Sequence, residues 1–193
     1  MPTIDSTTWR SPNHSPRPAG VTPSAIVLHS CEGRPRGAER SSSLPWLCND
    51  DIPLAERVSC HYYVCRSGVV YQLVADGLQA WHAGRGSLLG DSNWNDNSIG
   101  IELEHAQHAA PYPLAQRAAL VDLLRLKVQQ YGIARERVVA HRAVAAGRKI
   151  DPTDLSDAEL AAIIATVYAP QTPTIEQRVD RLEQRVSKLE GGS

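Results

Sequence analysis

Short apolar runs, separated by polar segments rich in glycine and proline, make up most of the first two thirds of the chain. The run from Ala25 to Leu28 predicts a buried strand that ends at His29. Further strand-like runs cover residues 61–66, 69–74, 98–103 and 138–140. Ser67-Gly68 joins the first two of these as a predicted hairpin turn, and the last run ends directly before His141.

Two segments have the periodicity of helices. Residues 114–131 carry apolar side chains at helical spacing, between Pro113 at the start and Gly132 just past the end. Ser156 and Glu159 form a capping box that begins the second helix. Strands mixed with helices predict an α/β fold, with a single mixed central β-sheet flanked by helices.

The last part of the chain follows a heptad pattern instead. Valine occupies the a positions and leucine or isoleucine the d positions of residues 175–190. Arg178 and Arg185 at g would face Glu183 and Glu190 at e of a parallel partner. This pattern predicts a short coiled-coil helix that pairs two copies of the chain. The alternative is a solvated amphipathic tail, because helices of about 12–15 residues are marginal alone.

Four segments follow from these patterns. An extended N-terminal lead-in covers residues 1–23, a catalytic domain residues 24–168, a stiff linker residues 169–174 and the coiled-coil helix residues 175–190. The lead-in has no apolar core, so we expect neither a signal peptide nor a membrane span, and synthesis in the cytoplasm.

Composition narrows the function classes only modestly. The 193 residues are 42% hydrophobic and 21% charged, as in ordinary globular proteins, and the net charge of −1 argues against a nucleic-acid partner. The four cysteines are too scattered for a disulfide framework, so we interpret them as small buried apolar residues.

Two histidines at predicted strand ends point to metal chemistry. His29 and His141 would project from the rim of the sheet, and Asp151 follows ten residues after the second. Two imidazoles and one carboxylate form a three-ligand site that leaves a fourth position open, which suits zinc, with manganese and iron as alternatives. Histidines at strand ends are also often purely structural.

Five ordered motifs give the chain a family resemblance. They begin at Ile26 (IVLH), Val58 (VSCHYYV), Ala80 (AWHAG), Asn97 (NSIGIELE) and Ala140 (AHR, continuing to GRKIDP). With them the chain resembles the type 2 N-acetylmuramoyl-L-alanine amidases, a family that includes anhydromuramyl-peptide amidases, phage endolysins and peptidoglycan recognition proteins. Its third metal ligand is aspartate rather than cysteine, which favours the branch that uses a catalytic glutamate.

The resemblance implies a role for each motif residue. His29, His141 and Asp151 would bind Zn²⁺, Glu102 would act as the general base and acid, and Lys149 would stabilise the oxyanion. Residues predicted to contact the substrate are Trp81, His82, Asn97 and His61. Asn97 has a strand cap as its alternative role, and Trp81 a place in the core.

Two positions depart from the family pattern next to the metal ligands. Ser30 follows the first histidine where asparagine or histidine is usual, and Thr153 follows Pro152 where glycine is common. We expect the first of these departures, at Ser30, to change the surroundings of the metal ligands.

The resemblance implies cleavage of the amide between N-acetylmuramic acid and L-alanine in peptidoglycan or muropeptides. We expect a phage-type lysin that acts on the wall after release, since a paired tail raises the effective concentration on a polymer. The alternatives are a cytosolic recycling amidase for anhydromuramyl peptides and a peptidoglycan-binding module without catalysis.

Overall fold

A computed structural model describes residues 3–33, 43–106, 111–170 and 175–190. The strands are β1 (Ile4–Asp5), β2 (His14–Pro16), β3 (Ala25–Gly33), β4 (Tyr62–Val64), β5 (Val70–Gln72), β6 (Leu78–Ala80), β7 (Ser98–Ala106) and β8 (Val138–Ala140). The helices are α1 (Ser43–Leu47), α2 (Trp94–Asn97), α3 (Leu114–Tyr131), α4 (His141–Val144), α5 (Asp157–Tyr168) and α6 (Ile175–Glu190). Short 3₁₀ turns cover Leu54–Glu56, Leu88–Gly90 and Arg135–Arg137.

Six strands form one mixed sheet in the order β1-β5-β4-β7-β3-β8. β3 pairs in parallel with both β7 and β8, and β7 also pairs in parallel with β4. β4 and β5 form the antiparallel hairpin predicted around Gly68. Two further strands, β2 and β6, pair separately as a small antiparallel sheet. The predicted mixed α/β fold is therefore confirmed.

The central strands are buried on both faces. Ile26 and Leu28 of β3 belong to the main core with residues of α3 and α5, whereas Val27 belongs to a smaller cluster around Trp94. Because side chains alternate along a strand, His29 lies on the same face of the sheet as Val27, away from α3 and α5. That face of the sheet carries the chemistry.

Both predicted helices have the expected boundaries. The longer, α3, begins after Pro113 and ends at Gly132, which has the left-handed conformation that suits glycine. The Ser156–Glu159 capping box is present at the start of α5. Local sequence alone determined these ends, because proline, glycine and the capping pair act within one helical turn.

Two segment boundaries differ from the expectation. β3 continues to Gly33, past the predicted end at His29, because β7 pairs with it along its whole length. Residues 3–23 contribute β1 and β2, and Arg17 donates to the carbonyl oxygens of Asp76, Asp96 and Ser98, so this segment is part of the domain. Most of the predicted linker, residues 171–174, lies outside the described residues, as do residues 34–42.

The heptad segment forms helix α6, and three of its apolar side chains, Val179, Leu182 and Val186, are 44%, 57% and 51% exposed. Among the described residues, the structure has no helix with the length and apolar character that crossing a membrane requires.

Candidate metal centre

Three donor atoms converge at the point where β3 extends past the end of its neighbour β8. β8 ends at Ala140, opposite Leu28, so His29 is the next residue of β3, and His141, the first residue of α4, directly follows β8. Nδ1 of His29 lies 3.0 Å from Nδ1 of His141 and 3.2 Å from Oδ2 of Asp151. The third side of the triangle, from Nδ1 of His141 to Oδ2 of Asp151, measures 3.0 Å. The structure thus brings all three predicted ligands together.

The donor set fits a small divalent cation. Donors held about 2.0–2.1 Å from zinc in a tetrahedron lie about 3.3 Å apart, close to all three measured separations. The two histidines are 3% and 2% exposed and the aspartate 9%. Three converging acceptor atoms in so dry a site repel one another unless a proton or a cation lies between them. Among the described residues, these three are the only group of this kind.

The electrostatics favour the protonation states that bind metal. Burial lowers the pKa of His29 to about 4, and the charges of His141 and Lys149 act in the same direction. Burial opposes ionisation of Asp151, but its hydrogen bonds with His141 and His29 outweigh it and hold the pKa of this carboxyl well below its usual range. A neutral imidazole beside an ionised carboxylate is the state that a divalent metal requires.

His82 supports the first histidine from behind. Its Nδ1 lies 3.0 Å from Nε2 of His29, and its Nε2 lies 3.2 Å from Oγ of Ser98. If Nδ1 of His29 binds metal, its Nε2 carries the proton and donates to His82. Both nitrogens of His82 are then used inside the protein. The sequence predicted a substrate contact for His82 instead. The ring makes these contacts within the protein because it lies over β7 beside Gly100.

Gly100 makes that ring position available. A Cβ atom at this position would lie 2.4 Å from Cγ of His82, closer than real contacts allow. Gly100 is part of the NSIGIELE motif, and a glycine inside a predicted strand is the signal that marks such a close approach in the sequence.

Glu102 lies next to the metal donors in the sheet. It is the register partner of His29 between β7 and β3, so both side chains leave the same face. Its carboxylate is close to Cys31, where burial and then the Glu102 charge raise the pKa of the thiol. A half-buried carboxylate beside a metal centre can exchange protons with a substrate.

Lys149 is exposed two residues before Asp151, and its amide donates to the Ala145 carbonyl oxygen at 3.0 Å. Its charge contributes to the lowered pKa of His29, so the ammonium group acts on the centre without being one of the donors.

Two further predicted substrate contacts have structural roles here. His61 is 0% exposed; its Nδ1 accepts from the Gly100 amide at 2.9 Å, and its Nε2 lies 3.0 Å from the Leu78 carbonyl oxygen. Asn97 precedes the first residue of β7, about 16 Å of strand before Glu102, and its amide donates to Asp91. A buried ring and a residue at the far end of the strand cannot face a ligand at the metal centre.

Trp81 is half-buried, and its indole N–H donates to Oγ of Ser15 at 3.1 Å. Part of the ring stays exposed, so its substrate contact stays a prediction.

Arg142 is a supporting residue that sequence analysis missed, although it follows His141 directly. Its amide donates to the Asp151 carbonyl oxygen at 2.8 Å, and its guanidinium donates to Pro152 and Leu155. It thereby fixes the backbone that carries the third donor. Beside it lies an open groove of about 840 Å³, whose lining includes Ile150 and Pro152 on either side of Asp151.

A three-donor centre with an open side, at the rim of a mixed sheet, is the arrangement of metal-dependent hydrolases. The chain belongs to the N-acetylmuramoyl-L-alanine amidase family, whose sequence profile matches residues 19–154. It is an enzyme of the amidase class, and the family predicted from the five motifs is confirmed.

Two bacterial relatives are similar in sequence. The 1,6-anhydro-N-acetylmuramyl-L-alanine amidase AmpD of Salmonella typhimurium is 33% identical over 152 residues, 74% of this chain and 80% of AmpD. The N-acetylmuramoyl-L-alanine amidase AmiD of Escherichia coli is 40% identical over 94 residues, 45% of this chain but only 34% of AmiD.

Solved structures have the same fold. A crystal structure of an AmpD derivative superposes with a TM-score of 0.66 at 29% identity, covering 80% of this chain and 91% of that one. AmiD of Escherichia coli, in complex with the substrate anhydro-N-acetylmuramic acid-L-Ala-D-gamma-Glu-L-Lys, gives 0.62 at 29% identity over 83% and 63% of the two chains. A mutant endolysin from Bacillus subtilis gives 0.62 at 22% identity over 86% and 99%, a likeness of fold alone.

Proposed function

We propose that this chain is a zinc-dependent N-acetylmuramoyl-L-alanine amidase that acts on soluble anhydromuramyl peptides. The observation that carries the proposal is the triangle of His29, His141 and Asp151, with Glu102 beside His29 on the next strand. Zinc in that triangle would supply a Lewis acid and lower the pKa of a water to about 7.

The remaining chemistry belongs to residues of this chain. Glu102 accepts a proton from the attacking water and returns it to the amine of the departing L-alanine. Lys149 offers a positive charge to the oxygen that becomes negative as the amide carbon turns tetrahedral. The exposed position of Lys149 and its electrostatic effect on His29 support this assignment.

The choice of a soluble fragment reverses the expectation of a phage-type lysin. Relatives at least 30% identical include AmpD, named for anhydromuramyl amides, whereas the endolysin is similar in fold at 22% identity. The AmiD complex, with its anhydromuramyl tripeptide, supports the same ligand chemistry.

A binding module without catalysis is the less supported alternative. Such a module does not need a complete donor set, whereas here three donors, a carboxylate and an ammonium group are all retained.

We also propose that α6 pairs two copies of the chain. Its apolar stripe of Val179, Leu182 and Val186 is 44–57% exposed, and the sequence places g arginines opposite e glutamates of a parallel partner. This charge pattern favours a second copy over an unrelated partner.

The test compares two substrates with two forms of the enzyme. Rates of L-alanine-headed peptide release are measured on anhydromuramyl tripeptide and on intact peptidoglycan, with the full chain and a variant lacking residues 170–193. We expect the soluble substrate to be cleaved faster, and both forms to act on it equally. Faster cleavage of intact wall that depends on the tail would contradict the recycling role and support the lysin.

A further inference from the structure

The two departures from the family pattern meet in space. Ser30 and Thr153 are 123 positions apart, yet the Thr153 amide donates to Oγ of Ser30 at 2.9 Å. Their hydroxyl oxygens are 3.3 Å apart. Each residue is close to a metal donor, since Ser30 follows His29 and Thr153 is the second residue after Asp151. The pair therefore links the strand of one donor to the loop of another.

The loop has no regular structure of its own to fix Asp151. It lies between α4 and α5, so its position depends on the contacts that hold its backbone. Upstream, the Arg142 amide donates to the Asp151 carbonyl oxygen at 2.8 Å. Downstream, Ser30 is the contact nearest in sequence that ties the loop to β3 itself.

Other contacts hold the same turn but reach different elements. Tyr112 donates its hydroxyl proton to the Thr153 carbonyl oxygen at 2.6 Å, and Nε2 of His105 lies 2.7 Å from Oδ2 of Asp154. Tyr112 precedes α3, and His105 belongs to the end of β7. Neither residue is on the strand that carries a metal donor. Tyr112 also hydrogen-bonds to the Ser30 side chain, so Ser30 is the anchor through which the turn is set relative to His29.

We propose that Ser30 and Thr153 form a positioning pair, which holds the Asp151 carboxylate at the distance from His29 that zinc requires. The inference rests on the proposed zinc site and adds two residues to it. Ser30 is 5% exposed, so water does not readily replace its hydroxyl. The Ser30 hydroxyl takes part in both contacts, whereas the Thr153 hydroxyl takes part only in the longer one.

This asymmetry predicts graded effects. Ser30→Ala removes both contacts, and losing support of this kind typically weakens metal affinity about 10–100-fold. Thr153→Ala keeps the backbone N–H donor and is expected to cost less than Ser30→Ala. Once Ser30 is alanine, the Thr153 hydroxyl has lost its partner, so the double variant should bind zinc within about twofold of Ser30→Ala.

The experiment measures zinc dissociation constants by competition with a chromophoric chelator, together with thermal unfolding of each metal-free protein. Ser11→Ala is the matched control, because this buried hydroxyl donates to the Leu47 carbonyl oxygen instead of the Asp151 loop. We expect Ser11→Ala to lower thermal stability while leaving the zinc affinity unchanged. If Ser30→Ala fails to fold, the zinc dissociation constant of Thr153→Ala is compared with that of the wild type instead.

Wild-type zinc affinity in Ser30→Ala, or in Thr153→Ala should that be the only folded variant, would overturn the positioning role. An equal loss of zinc affinity in Ser11→Ala would overturn it too, because general destabilisation would then explain the effect. A wild-type protein that binds no zinc would remove the proposed metal centre itself. That failure is distinguishable from the others, which require wild-type binding.

Discussion

Replacing His82 by alanine is expected to weaken zinc binding without touching a metal donor. The substitution removes the acceptor that lies 3.0 Å from Nε2 of His29, and His29 is only 3% exposed. A buried donor left without a partner costs about 1–3 kcal/mol, which is about 5–150-fold in an equilibrium constant. Losses measured for residues that orient a metal-binding histidine, about 10–100-fold, lie inside that range.

The assay is a zinc competition titration at neutral pH on three variants. His82→Asn restores an amide oxygen near the position of Nδ1 and is expected to recover most of the affinity. His61→Ala is the control for packing, because this fully buried histidine lies against the His82 ring, with 5.6 Å between the ring centroids, but has no hydrogen bond to a metal donor. It should lower stability and leave zinc affinity intact.

A His82→Ala variant that keeps wild-type zinc affinity and instead has a raised KM for the muropeptide would contradict this prediction. That outcome would restore the substrate contact predicted from the sequence.

Three further predictions concern stability and assembly. Asp76→Ala removes the 2.6 Å partner of the Lys127 ammonium group, whose side chain is 7% exposed. Thermal denaturation should show that the free energy of unfolding falls by about 3–5 kcal/mol. The control Asp122→Ala, at an exposed carboxylate, should lower it by under about 1 kcal/mol. Burial is the main reason that the pKa of His61 falls from 6.5 to about 4 in the folded protein. As the pH falls between those values, the unfolded chain binds the proton first, so wild-type stability should drop relative to His61→Asn by up to about 3 kcal/mol. Urea titrations measure this difference, and parallel stability curves for the two proteins would contradict it. If α6 pairs two copies as proposed, sedimentation experiments should find the wild type dimeric and Leu182→Asp monomeric; a monomeric wild type would refute the pairing.

The sequence predicted those parts of the site that depend on local patterns. His29 and His141 were placed correctly because each follows an apolar strand, and neighbouring parallel strands bring their ends together. The choice of Asp151 depended more on the resemblance than that of the histidines did. No periodic element carries it, and its backbone is held by Arg142 and by the turn that Ser30 anchors.

The structure differs from the expectation where a side chain's direction depends on distant contacts. His82 and His61 share the chemistry of substrate-binding residues, but Gly100 leaves room for one ring and donates its amide to the other. The proline-rich start of the chain has no apolar pattern, so its pairing with the domain was not evident. Arg17 lies there because carbonyl oxygens of four separate residues accept its protons, a fit that only the folded chain shows.

The most direct test of the central claim is mass spectrometry of the products from anhydromuramyl tripeptide incubated with the purified, zinc-loaded protein. Two parallel samples use Glu102→Gln and the wild type treated with a chelator. We predict that only the loaded wild type releases the sugar and a peptide with a free L-alanine amino group, and that added zinc restores the chelated sample. Undiminished cleavage by both controls, or intact substrate with the loaded wild type, would contradict the account.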